Sequence, residues 1–336
     1  MPPFLVFGSI STDFSPEVIG LDCVTPLNAP QTSVGDVQGT QLLLPRYERP
    51  RELADENHSD PDITLIPFEA STEAIAASAL SPGSKAMARA LLRLGRTRTF
   101  GGGGAGIEYG SLLKTAARPD LLGSHVAEAA RHLQDQDVDL MLVPGMSGYP
   151  IGAMYSFASD IPAILLKKVK YWADAPVVYP PGAFVIPSYT GDGDVVMHAD
   201  QDALQDIVDT VATAQLAEQA EADAPTISLR VAGADDIIDK ATMSLAVSES
   251  ALVVGRAAIE DFIVRHRTAT GDSRAIGIDI RVVAWVTPLI KAYNGPIAFL
   301  ERTIGIRPFV GLTVTSLHLS PPAIGIEGLG IMAFPG

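Results

Sequence analysis

The sequence predicts an α/β fold built on a largely parallel sheet, and three observations carry that expectation. First, several short runs are apolar at successive positions: DVDLMLVPG (137–145), IPAILLKKVK (161–170), TISLRVAGADD (226–236) and IGIDIRVVAWV (276–286). Runs of that length, rich in branched side chains and lacking strict alternation, suit strands buried on both faces. Second, helix-length amphipathic segments lie between them, which is the alternation of a parallel sheet with covering helices. Third, two of the runs end in turn chemistry, Pro-Gly in one and Asp-Asp in the other. In open α/β sheets the carboxyl ends of the strands carry the ligand loops.

In chain order, PFLVFGSI and DITLIPFEA are short, apolar and read as strands. Between them PRYERPRELADENHSDPD, dense in charge and proline, reads as a loop. SPGSKAMARALLRLG predicts a helix with Ser81 as N-cap, Pro82 at the first helical position and Gly95 at the C-terminal end. The run Gly101–Gly104 with Gly106 does not match a phosphate-loop or dinucleotide fingerprint and reads as a hinge or tight passage. A helix is expected over 121–134, then the 137–145 strand, a helix over GYPIGAMYSFAS and the 161–170 strand. Residues 175–198, with their prolines and glycines, read as an excursion from the sheet. A polar helix over 199–222, the 226–236 strand, a long helix over 241–267 and strands at IGIDIRVVAWV and FVGLTVTSLHL complete the pattern. No repeat at a fixed period is evident.

Composition narrows the function classes. The chain has 336 residues, 47% hydrophobic and 19% charged, which suits a globular enzyme rather than a disordered chain. Its net charge of −15 argues against nucleic acid as a partner, because a polyanion needs a basic face. The lone Cys23, in an apolar context, can form no intramolecular disulfide and reads as structural. MPPFLVFGSISTDF has neither a charged start nor a long apolar run, so a signal peptide is not expected. No uninterrupted run of about 18 apolar residues occurs, so no membrane partner is expected and cytoplasm is the default location.

Five constellations can carry chemistry. Asp235-Asp236 end a buried strand, where carboxylates need partners. They can accept hydrogen bonds from vicinal hydroxyls or from Mg²⁺-bound waters, or simply cap the next helix. VPGMSGYPIG (143–152) sets small residues before a helix, so backbone amides can approach an anion; otherwise it is a plain glycine turn. Lys167, Lys168 and Lys170 end a buried strand, either beside a pyrophosphate or in solvent. SYTGDGD (188–194) is a candidate closing loop or a solvent loop. The glycine run 101–104 can touch phosphate, though a hinge fits it better.

Taken in order, these segments resemble the type I phosphoribosyltransferases, especially their adenine and orotate branches. IEYGSLLKTAARPDLLGSHVAEAARHL is similar to the segment that precedes the family core. DLMLVPGMSGYPIGAMYSFASDIPAILLKKVK resembles the pyrophosphate loop, its helix and the following basic strand. APVVYPPGAFVIPSYTGDGDVVMHADQDAL resembles the mobile catalytic loop of the adenine branch, and LRVAGADDIIDKATMS the diphosphoribosyl-binding motif. The resemblance covers about residues 96–290.

It implies a phosphoribosyltransferase-like core over 96–290, with residues 1–95 as an N-terminal extension and 291–336 as a C-terminal strand and tail, the two additions being the candidates for a hood over the base. It implies that Asp235 and Asp236 contact ribose hydroxyls and a Mg²⁺ ion. Asp239, Lys240, Ala241, Thr242, Met243 and Ser244 would hold the 5-phosphate. Met146, Ser147 and Gly148 would face pyrophosphate through the backbone, with Lys168 and Lys170 assisting. Ser188, Tyr189 and Asp192 would belong to the closing loop, with Tyr189, Asp192 and Lys168 nearest the chemistry.

The implied reaction moves a sugar phosphate from a 1-pyrophosphate donor, PRPP or a related sugar diphosphate, to a nucleobase, adenine first, in a homodimer. One departure stands out. The family's phosphate loop reads Thr-Gly-Gly-Thr, whereas this chain has Lys240-Ala241-Thr242-Met243. That substitution leaves open a catalytically silent nucleotide-binding regulator. A nucleoside hydrolase-like enzyme using the two aspartates on Ca²⁺ is a third reading.

Overall fold

A computed structural model of the chain describes residues 32–37, 40–47, 64–99, 105–108, 118–170, 179–187 and 193–335. The strand expected at PFLVFGSI, Cys23 and the glycine run 101–104 lie outside the described residues.

Two small antiparallel hairpins come early, β1 (Thr32–Val37) with β2 (Thr40–Leu44) and, later, β4 (Arg96–Thr99) with β5 (Ala105–Glu108). The main sheet draws on β3 (Leu65–Ile66), β6 (Leu140–Val143), β7 (Ala163–Leu165), β11 (Thr226–Ala234), β12 (Gly277–Lys291), β13 (Phe309–Leu319), β14 (Pro322–Ile326) and β15 (Gly330–Ala333). Its eight strands run in the order β3-β15-β14-β13-β12-β11-β6-β7. The stretch β7-β6-β11-β12-β13 is parallel throughout, and β13, β14 and β15 form an antiparallel meander at the far side. A second, antiparallel sheet joins β8 (Lys167–Lys170), β10 (Asp194–His198) and β9 (Phe184–Pro187) in the order β8-β10-β9.

The helices are α1 (Phe68–Ala77), α2 (Pro82–Leu94), α3 (Pro119–Asp135), α4 (Tyr149–Ser159), α5 (Gln201–Glu218), α6 (Thr242–Thr270) and α7 (Pro296–Ile304). They cover both faces of the main sheet. Successive strand residues point to opposite sides, so Met141 and Val143 enter one core with Leu91, Leu133 and Tyr155, from α2, α3 and α4. Leu140 and Leu142 enter the other with Val208, Val247 and Leu300, from α5, α6 and α7. That two-sided burial is why these strands read as continuous apolar runs rather than alternating ones.

Local chemistry explains most element ends. The Ser81 side chain accepts from the Ser84 amide and Pro82 opens α2, as the sequence predicts. Glu128 from α3 adds two bonds to that cap, accepting from the Gly83 amide at 2.8 Å and the Ser81 hydroxyl at 2.7 Å. Two expectations differ from the structure. The single strand over 161–170 is divided: β7 stays in the main sheet while β8 crosses into the second one, with buried Leu166 between them. DITLIPFEA supplies only the two-residue β3, because the chain turns at Pro67 and enters α1. Residues 64–94 and 309–333 share their sheet and core with residues 119–291.

Packing on the sheet is tight enough to test. A Cβ added at Gly233 would lie 2.3 Å from the ring of Trp285, which is fully buried on β12. Gly233→Ala is therefore expected to destabilise the fold by about 2 kcal/mol, an overpacking cost. Urea unfolding of the two proteins checks it, and a difference within experimental error would contradict the packing described.

His125 on α3 is fully buried, and its Nε2 shares a hydrogen bond with the Tyr155 hydroxyl at 2.6 Å. Burial pushes its pKa down from 6.5 to about 4 and holds it neutral. The unfolded chain thus binds the proton first as pH falls, so this group's stabilisation is complete above the unfolded value and is lost progressively as pH drops from 6.5 towards about 4. The expected cost at pH 5 is about 2 kcal/mol relative to pH 7.5. His125→Gln, which keeps a partner for Tyr155, is expected to lose that share of the slope. Urea midpoints at the two pH values measure it.

Candidate functional site

The parallel strands set the location. Counted in chain order they are β6, β7, β11, β12 and β13, and in space they lie 2-1-3-4-5. From β6 the chain crosses through α4 on one face to β7; from β11 it crosses through α6 on the other face to β12. Where the crossings diverge, between β6 and β11, the carboxyl ends of an open sheet leave a crevice. The turn Pro144–Gly148 follows β6 there, and Asp235–Ala241 follow β11.

These two segments touch. The Ser147 hydroxyl donates to Asp236 Oδ1 at 3.0 Å, joining residues 89 apart in sequence. A Cβ on Gly148 would lie 3.0 Å from Asp235 Oδ1 and 2.8 Å from the Pro144 carbonyl oxygen, so the approach needs glycine. The Asp236 amide donates to Asp235 Oδ1 at 2.8 Å. Asp236 is buried, at 2% exposure, and Asp235 is half-buried. At the crest of the turn Met146 stands 70% exposed.

Beyond the aspartates the backbone is pinned to β12. The Asp235 amide donates to the Val286 carbonyl at 3.2 Å, the Ile238 amide to Leu289 at 3.0 Å, and the Lys291 amide to Ile238 at 3.0 Å. This zipper delivers Asp239 to Lys291, whose ammonium group lies 3.1 Å from Asp239 Oδ2 and is almost fully buried. The Asn294 side-chain amide donates to the other carboxylate oxygen of Asp239. Asp239 is thus committed to an internal ion pair, and the turn behind it is held from within.

The turn then enters α6. Lys240 is half-buried, and Ala241 takes the left-handed conformation, φ 58°, where glycine is favoured. No side chain caps α6. The amides of Thr242, Met243 and Ser244 have no intrahelical acceptor, so the positive end of this helix lies at the turn that follows the aspartates. Thr242 Oγ1 is buried without a hydrogen-bond partner among the described residues, and Ser244 is buried.

The basic strand is placed differently. The Leu166 amide donates to the Val143 carbonyl at 2.9 Å, and the Tyr149 hydroxyl donates to the Leu166 carbonyl, which ties the head of α4 to the β7–β8 junction. Past it, Lys168 is exposed and pairs across the second sheet with Met197, and Lys170 is opposite Val195. Lys167 pairs with Asp200 at 2.5 Å. Among the described residues no hydrogen bond or ion pair joins Lys168 to the aspartates. Ser188, Tyr189 and Asp192 lie outside the described residues.

The second sheet is fastened beside α6. The Ser250 hydroxyl donates to the Gly182 carbonyl at 2.7 Å, and Arg46 pairs with Asp194 at 2.9 Å. The Tyr47 hydroxyl donates to the Glu249 carboxylate; burial, then the Glu249 charge, raises the Tyr47 pKa far above its ordinary value. Burial raises the Glu249 pKa as well.

The donor set can be tested against Mg²⁺. Among the described residues no group of three or more His, Cys, Asp or Glu could hold a metal ion alone. Mg²⁺ usually keeps several waters and takes one or two carboxylates together with ligand phosphates. Asp235 and Asp236 fit that shared mode and not an all-protein cage.

Lys291 and Asn294 escaped the sequence reading. Their signal was present, since PLIKAYN is an apolar strand ending in lysine, the pattern that marked Lys167–Lys170. No family model matches the sequence, and no curated protein matches it. Solved structures do align with it. An adenine phosphoribosyltransferase from Giardia lamblia, complexed with 9-deazaadenine, is 12% identical, covering 70% of this chain and 99% of its own at a TM-score of 0.42. That from Rhodothermus marinus is 15% identical, covering 68% and 99% at 0.41. That from Leishmania donovani is 12% identical, covering 70% and 82% at 0.40.

Proposed function

We propose that the chain is a glycosyltransferase of phosphoribosyltransferase type, taking a sugar phosphate with a 1-pyrophosphate group and a nucleobase, adenine first. The observation that carries this reading is the contact of Ser147 with Asp236, which sets an anion-type turn against paired carboxylates at a sheet's switch point. The amides opening α6, which no side chain caps among the described residues, lie on the next turn of the same loop.

In this reading Asp235 and Asp236 accept hydrogen bonds from the vicinal hydroxyls of the sugar. Amides of Met146, Ser147 and Gly148, with the positive end of α4, hold the pyrophosphate, and Lys168 assists. Lys240 and the amides of residues 242–244 hold the 5-phosphate. Bound Mg²⁺ would neutralise charge on the departing pyrophosphate. The chain's own residues act by position and by fixed dipoles, which stabilise charge as the bond at the anomeric carbon breaks. No covalent nucleophile is required.

One observation favours a silent nucleotide-binding relative. The 239–244 turn has no glycine, and Asp239 is occupied by Lys291 and Asn294. Incubating the protein with PRPP, Mg²⁺ and a panel of bases while detecting pyrophosphate separates the two. Pyrophosphate release with at least one base is the expected result. Nucleotide binding without turnover of any base or alternative donor supports the silent relative. Free base released from nucleosides with no pyrophosphate means a hydrolase.

A further inference from the structure

We infer that Met146 is a selective oxidation site that switches anion binding at the crevice, an inference that rests on the ligand reading of the 144–148 turn given above. The methionines are sharply divided. Met87, Met141, Met197 and Met332 are fully buried, and Met154 and Met243 are half-buried. Met146 is 70% exposed, and it is the one methionine among the described residues that meets solvent freely.

It also occupies a consequential place. Its neighbour Ser147 donates to the buried Asp236, and Gly148 packs against Asp235. A change of side chain at 146 therefore acts one residue from the bond that joins the two halves of the site. An exposed thioether on a tight turn gains little from burial, so its apolar character serves no core.

The chemistry needs one co-reactant, a peroxide. The thioether sulfur attacks a peroxide oxygen with a lone pair, and the O–O bond breaks. A sulfoxide forms and water leaves, the sulfur being oxidised by two electrons and the peroxide reduced by two. The product is polar and carries a strong acceptor oxygen. Placed on the turn, that oxygen competes with an incoming pyrophosphate for the same amides and opposes its negative oxygens. The lesion is of the kind that methionine sulfoxide reductases reverse.

The test uses the full chain. Protein treated with dilute hydrogen peroxide is digested and mapped by mass, and pyrophosphate binding is measured by calorimetry before and after. One added oxygen is expected on the Met146 peptide while the Met87, Met141, Met197 and Met332 peptides stay unmodified. Affinity for pyrophosphate is expected to fall about tenfold, the worth of about one hydrogen bond, and to return on treatment with a methionine sulfoxide reductase. In Met146→Leu, whatever affinity the untreated variant has should not respond to peroxide. Oxidation spread evenly over the methionines, or an oxidised protein with unchanged affinity, overturns the switch. So does a Met146→Leu protein that loses affinity in the same proportion. Untreated protein that binds no pyrophosphate overturns the ligand reading itself, a result distinguishable from the others because it precedes any oxidation.

Discussion

Replacing Asp235 and Asp236 together by asparagine is expected to weaken donor binding at least about a hundredfold and to remove pyrophosphate release. Each carboxylate offers charge-assisted hydrogen bonds worth about 1.5–3 kcal/mol, and two such losses amount to two or more decades in affinity. Folding should survive. Asparagine is nearly isosteric, its carbonyl can still accept from Ser147, and the buried position is relieved of a charge. Calorimetric titration with PRPP and Mg²⁺, set beside a thermal melt of the same samples, measures both. A variant that binds PRPP as the parent does would remove the aspartates from the ligand and the proposed function with them. A variant that fails to fold gives way to the single Asp235→Asn, whose side chain is half-buried, for which a loss of about tenfold is expected on the same grounds.

The second large effect is on stability. Lys291→Met is expected to cost about 2 kcal/mol, because removing the buried partner leaves the charge of the partly buried Asp239 uncompensated. Lys291 is 5% exposed, its ammonium group lies against Asp239, and among the described residues the Asn294 amide is what Asp239 keeps once the lysine is gone. Adding Asp239→Asn should recover more than half of the loss, since the stranded charge disappears. Urea unfolding of the parent, the single and the double variants forms the cycle. A loss under about 1 kcal/mol, the value of an ordinary surface pair, would mean that solvent reaches the pair and that the turn is not held from within.

Much of the fold was legible because its signals are local. The run 137–145 shows its strand by continuous apolar residues, and Ser81-Pro82 shows the start of α2 by capping chemistry. Asp235-Asp236 and the 144–148 turn were found for the same reason: each ends a strand whose apolar character is visible without neighbours. What escaped depends on pairing. Nothing within IPAILLKKVK says that the strand pairing after Leu166 goes to β10 rather than to the main sheet. The short β3 and the helix behind it looked like one strand, because DITLIPFEA is apolar and the deciding turn at Pro67 is a single residue. Asp239 was assigned to phosphate by resemblance, and its commitment to Lys291, 52 residues on, has no local trace.

By itself, then, the sequence determined the parallel core strands and the helices between them, and which strand ends carry acids, small residues or lysines, since periodicity and turn chemistry act over a few residues. Only the tertiary structure decided which of those ends meet. Strand order brings Ser147 to Asp236 and leaves Lys168 on another sheet. That choice belongs to long-range hydrogen bonding and to burial on the two faces of the sheet, which no single segment encodes.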